Sequence, residues 1–295
     1  MEGDFKDDVD EDVFKKHVND IRWMMDLFDE YGAKLTIESE KSFARANTIW
    51  DLNILEEIVD RGHGVGTHAD FGAGIREHFT TQQYIQKFME NKKLVDDLVG
   101  AENNRGVSGG TGPGDWVQAA ASAGFDFLDG VVGFAYLSMD LSERPEGWTD
   151  EAIRSSYFHD SVPLDFEQRL YPVLLKDAED FTADEDGVLL VMLGDMGEIG
   201  SLEEGRKNCA PNCVLDTDDV EQYGRYLEEA LAVRDPNKAA RINIHIQAKY
   251  FTQEYEDEFR ALLSLIQDYV DRGEVQWATQ LESYEGYAAE LGSAY

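Results

Sequence analysis

Apolar residues Phe14, Val18, Ile21, Met25 and Phe28 recur at spacings of three and four. That stripe predicts an amphipathic helix over residues 10–31, with Gly32 as its stop. A short strand at 34–37 follows. Next come a helix over 50–60, turning Leu52, Leu55 and Val59 inward and ending at Gly62, and a strand at 63–68. Helical spacing returns at 81–99, where Tyr84, Phe88, Val95 and Leu98 share a stripe, and at 113–123, 220–232 and 254–271. The 113–123 helix has Pro113 at its start and Gly124 just past its end, the asymmetry that helix termini favour. Runs at 105–108, 125–132, 188–193, 241–247 and 275–279 read as strands.

Strand and helix thus alternate along the chain. Alternation predicts parallel strands joined by crossover helices. At about seven or eight repeats it predicts an α/β fold closed into a distorted TIM-like (β/α)7-8 barrel. The rival is an open doubly wound sheet. The barrel is preferred because no glycine-rich phosphate turn follows an early strand. The 295 residues fit one such domain over 1–295. Insertions at 133–186 and 194–218 break the rhythm. Both follow strands, so both are expected on the C-terminal face, where barrels carry their chemistry.

Charge narrows the range of partners. Lys and Arg number 26 against 61 Asp and Glu, a net charge of −35, with a pI near 4.3. Nucleic acid and anionic membranes are disfavoured, because phosphate binding needs cationic neutralisation. No run of about 18 uncharged apolar residues is present, so no membrane span is expected. The opening Met1-Glu2-Gly3-Asp4 is acidic where a leader would be basic, so no signal peptide is read there. Cytoplasm and export both stay open, and the acidity also suits a saline medium. Cys209 and Cys213 stand in Cys-Ala-Pro-Asn-Cys. This is too sparse for a zinc module and compatible with a local disulfide or two thiols.

In a parallel barrel the strand C-termini converge on one rim, so polar residues there are the candidates for chemistry. They are Glu2, Asp4, Glu38, His68, Asp70, Asp129, Asp195, His245 and Glu282. Two histidines with several carboxylates compose either a divalent-metal site or a set of acid–base groups. His245 lies in Ile-Asn-Ile-His-Ile. Alternation sends the isoleucines toward helices and turns Asn243, His245 and Gln247 toward the barrel axis. His63 and His68, five apart, take opposite faces of a strand. His68 is placed at the rim, with His63 structural. Trp116, Tyr136, Trp148, Tyr157 and Phe158 stand in segments that follow strands, where they either offer ring faces to a ligand or pack the insertion, and His159 is a candidate to line a substrate groove.

Arg61-Gly62-His63-Gly64-Val65-Gly66-Thr67-His68 resembles the Gly-His-x-Val-Gly-x-His stretch of the polysaccharide deacetylase (NodB-homology) family. Residues 242–245 are similar to its late Ile-His strand, 277–282 to its closing strand and 31–36 to its second. The resemblance spans most of the chain at low density. It implies a seven-stranded barrel and a zinc-type ion whose bound water attacks the acetamide of an amino sugar. On that resemblance His68, Asp70 and Glu2 are the metal ligands, and Asp4 is the base. Arg105 orients the base and His245 is the acid. Asp129, Asp195, Trp148 and Glu282 are read as substrate contacts. The chain departs from the pattern in three places. Gly72 stands where the second metal histidine belongs, the Thr-Phe-Asp-Asp-Gly motif is absent, and the arginine loop lacks its proline.

Three functions follow as expectations. The first is metal-dependent hydrolysis of a C–N bond in an N-acylated amino sugar or related small molecule. The second is carbohydrate binding by a catalytically impaired relative. The third is glycoside cleavage by a carboxylate pair such as Asp195 with Asp129 or Glu198, which calls for a separation of about 5 to 9.5 Å. The acidic field favours neutral or amine-bearing glycans over anionic ones.

Overall fold

The computed structural model describes residues 6–69, 71, 79–202 and 213–293. Glu2, Asp4, Asp70 and Cys209 lie outside them. Helix α1 (Glu11–Asp29) starts on an Asp10 side chain that accepts from the backbone N–H groups of Asp12 and Val13. It buries Phe14, Val18, Ile21, Met25 and Phe28 as the spacing predicts. There follow β1 (Thr36–Ser39), α2 (Lys41–Ile49), α3 (Ile54–Asp60), β2 (Gly64–His68) and α4 (Thr81–Val99). Next are β3 (Gly106–Ser108), α5 (Trp116–Ser122) and β4 (Phe127–Asp129). The chain continues through β5 (Val173–Leu175), β6 (Leu189–Met192), α6 (Thr217–Val233), α7 (Glu256–Asp271) and α8 (Gln280–Ser293). The expected helix over 50–60 is α3, which starts at Ile54, and α2 precedes it where no helix was expected. Glu40 caps α2 and Asn53 caps α3 through their side chains.

The six strands form one sheet in the order β1-β2-β3-β4-β6-β5. All neighbours are parallel except β5, which runs antiparallel to β6. β5 comes from the 133–186 insertion, so part of that insertion extends the sheet. Alternation sorts the two faces. Val107, Leu128, Leu189 and Val191 pack with α4 and α5 on the outer side. Leu35 and Ile37 join the core built on α1, α6 and α7. Phe127, Leu190 and Met192 turn inward and meet Leu281, Tyr284 and Tyr287 of α8.

Two expected strands differ. Residues 241–247 are extended but carry one bridge, His245 with Glu198. Three backbone hydrogen bonds join them to 196–199, and positive φ at Gly197 and Gly200 bends that partner away. Residues 275–279 form no strand. Thr279 and Glu282 instead make a reciprocal cap. The Thr279 N–H donates to Glu282 Oε2 at 2.7 Å, and the Glu282 N–H donates to Thr279 Oγ1 at 3.1 Å. This Thr-x-x-Glu signature opens helix α8 in place of a closing strand. No described helix is long and apolar enough to cross a membrane.

Candidate functional site

Strand register builds the site. His68 stands opposite Ser108, Ser108 opposite Asp129, and Asp129 opposite Met192, one row across the C-terminal ends of β2, β3, β4 and β6. Parallel pairing in this register puts the three polar side chains on the same face. His68 Nδ1 lies 2.8 Å from Ser108 Oγ. Glu38 of β1 is paired with Gly66, and a Cβ on Gly66 would meet Glu38 Cγ at 3.5 Å. The Glu38 side chain reaches across β2, where it hydrogen-bonds Ser108.

Asp129 is the most heavily held carboxylate. It receives a short hydrogen bond from Arg241, one from Gln280 Nε2 at 2.8 Å, and one from the Gly130 N–H at 2.9 Å. Asp195 follows β6 and accepts the Gly197 N–H at 3.0 Å. Burial, and then the nearby charge of Asp129, push the Glu38 carboxyl above the usual carboxylate range. His68, Ser108 and His245 pull it back in part. Asp195 is raised by the same two causes, opposed by His245, the Gly197 N–H and Arg169.

A cleft of about 1670 Å³ gathers these groups. Its lining includes Glu38, His68, Ser108, Asp129, Asp195, Arg241, His245, Gln280 and Glu282. His245 is exposed there, anchored by its backbone. Its N–H donates to Gly197 O at 3.0 Å, and its carbonyl accepts from Ile199 N at 2.9 Å. Ile242, Ile244 and Ile246 pack on the helical core behind it, as the alternation predicts. Glu282 lines the cleft while its carboxylate serves the α8 cap.

Other expected site residues sit elsewhere. Arg105 precedes β3, at the opposite end of the strands. Its guanidinium bonds Asp126 at 2.6 Å and lies over the Tyr284 ring. Trp148 stacks on Tyr157 at 4.9 Å and packs against Tyr136 within the insertion, which makes it a packing residue. His63 is buried; Leu35 N–H donates to its Nδ1 at 3.2 Å, a structural role as expected. Cys213 is disulfide-bonded. The residues missed by sequence reasoning are Ser108, Arg241 and Gln280. Extending the 243, 245, 247 alternation back by two positions finds Arg241 on the same face. The helix cap would have located Gln280.

The described residues do not by themselves make a metal cage. Among them no three His, Cys, Asp or Glu side chains group to hold an ion. Asp129 already serves Arg241, Gln280 and Gly130. Of the expected ligands only His68 is described. Comparison with known proteins finds no matching family model, no matching curated protein and no matching solved structure.

Proposed function

We propose that the chain is a hydrolase of carbon–nitrogen bonds acting on the amide of an N-acylated amino sugar, with its sheet forming part of a distorted barrel and residues 241–247 as a further stave. One observation supports the reading: His68 and His245, distant in sequence, line a single cleft with Glu38, Asp129 and Asp195. Amide hydrolysis needs a base for the attacking water, a donor for the carbonyl oxygen and an acid for the leaving amine. Asp195, which lines the cleft and accepts the Gly197 N–H at 3.0 Å, is assigned as the base. It takes a proton from water as the water oxygen adds to the carbonyl carbon. Glu38, biased toward its protonated form, donates to the carbonyl oxygen as charge gathers there. His245 passes a proton to nitrogen as the C–N bond breaks, which leaves an amine and a carboxylate. The zinc-type ion implied by the family resemblance would draw on His68 with Glu2 and Asp70. The steps above use the chain's own described groups.

The test is incubation with tetra-N-acetylchitotetraose, assaying acetate and new reducing ends. Acetate release without new reducing ends is expected, and His245→Ala should abolish it while the circular dichroism spectrum is kept. Unchanged turnover in that variant removes His245 from the mechanism. New reducing ends without acetate favour the second reading, glycoside cleavage. That reading draws on the upward push on Glu38 beside Asp129, a pair of carboxyls in unlike environments. Sugar binding with neither product reduces the chain to a carbohydrate-binding relative.

A further inference from the structure

The 133–186 insertion holds a second cavity, of about 640 Å³, which shares no lining residue with the cleft. That volume falls in the range of small-molecule pockets, about 300–1,000 Å³. The lining is drawn from residues 136–145, 164–173 and 180–182, and from Leu193 just past β6. Most of its polar groups are engaged within the fold. The Arg144 side chain is 6% exposed. Its Nε and Nη2 donate to Met139 O at 3.0 and 2.8 Å, and its Nη1 donates to Asp150 Oδ1 at 2.6 Å. The Tyr171 hydroxyl accepts the Asp235 N–H at 2.7 Å, and Gln168 Oε1 accepts the Asp165 N–H at 3.0 Å.

Tyr136 differs. It is 5% exposed, and among the described residues its hydroxyl makes no hydrogen bond. Burial alone pushes the phenol up to about 12, so it remains a protonated donor at neutral pH. A hydroxyl withdrawn from water without a partner is costly, and phenylalanine would fill the same space without that cost. The rest of the lining narrows what could supply the partner. Met139, Leu164, Val173, Phe181 and Leu193 make it largely apolar. Glu143 and Asp180 also line it, both are exposed, and neither is ion-paired among the described residues. Arg144, already engaged, is the one cation in the lining. A carboxylate or phosphate therefore meets like charge, whereas an ammonium meets opposite charge.

We propose that this cavity binds a small apolar amine whose oxygen accepts the Tyr136 O–H and whose ammonium meets Glu143 and Asp180. The site stands apart from the cleft and does not depend on the hydrolase reading. The test is titration calorimetry on the full-length chain with tyramine, which should bind with a Kd below about 1 mM. Phenethylamine lacks the phenol oxygen and should bind about threefold or more weakly. 3-(4-Hydroxyphenyl)propionate carries a carboxylate in place of the ammonium and should not bind. Tyr136→Phe should weaken tyramine about threefold to tenfold and leave phenethylamine within about twofold of the parent. Glu143→Gln with Asp180→Asn should weaken both amines. Tyr136→Phe keeps the ring and removes no hydrogen bond of the fold, so its melting temperature should equal or exceed the parent's. A lower melting temperature shows that the hydroxyl is already paired in the fold and overturns the proposal. Tyramine affinity unchanged in Tyr136→Phe places the amine elsewhere, the acidic cleft included, and also overturns it. So does absence of tyramine binding, or equal affinity for the propionate.

Discussion

Asp129 and Arg241 are the pair on which the cleft's electrostatics turn. Their side chains are 5% and 10% exposed, so each charge has little water to fall back on. Removing one partner leaves the other buried and uncompensated, which costs about 3–5 kcal/mol where such pairs have been broken. Arg241→Met is therefore expected to lower unfolding stability by about that amount, read by urea denaturation. The double variant Arg241→Met with Asp129→Leu should recover much of the loss, since an apolar replacement of both members removes the unpaired charge. A single variant as stable as the parent contradicts a buried pair. Of these two residues, Asp129 was legible from its place at a strand end. Arg241 was not, because an arginine at the start of an extended segment is equally well read as solvated, and only the facing carboxylate fixes where its guanidinium goes.

The parallel pairing of β1 and β2 shows what one histidine does for an element. His63 sits at the entry to β2, and its Nδ1 accepts the N–H of Leu35 at the entry to β1. Its Nε2 lies 3.2 Å from Asp29 at the end of α1. An acceptor nitrogen cannot carry a proton, so the native element needs the neutral ring. Burial holds the His63 pKa below its ordinary value of 6.5, assisted by Lys34 and Arg61 and opposed by Asp29. The sign follows directly. The unfolded chain binds the proton more readily, so this group's contribution is complete above pH 6.5 and is lost as pH falls below it. Melting temperatures between about pH 8 and pH 5 should fall less steeply for His63→Gln than for the parent. Parallel slopes would remove His63 as the cause. At this level much was legible, since α1 and α4 follow from apolar spacing alone. Residues 275–279 were misread as a strand because a short mixed run carries too little period to outvote a cap. The reciprocal Thr279–Glu282 bonds win locally and start a helix.

Over the whole molecule the net charge of −35 sets the balance between packing and self-repulsion. Salt shortens the Debye length from ~10 Å at 0.1 M to ~3 Å at 1 M. The acidic surface should then cost less, and the melting temperature is expected to rise over that interval. A flat or falling curve in KCl would show that surface repulsion does not limit stability. Order along the chain was available to inspection. Apolar period gives the α/β alternation, and alternation within strands gives the inward faces of His68, Asp129 and His245. Those are properties of neighbours in sequence, fixed by backbone geometry a few residues long. Which strand lies beside which is not such a property. The row His68–Ser108–Asp129, the reach of Glu38 to Ser108 and of Arg241 to Asp129, and the removal of Arg105 to the far end depend on register and packing between distant segments. Only folding in three dimensions supplies those contacts, because each is stabilised by a partner that local periodicity does not specify.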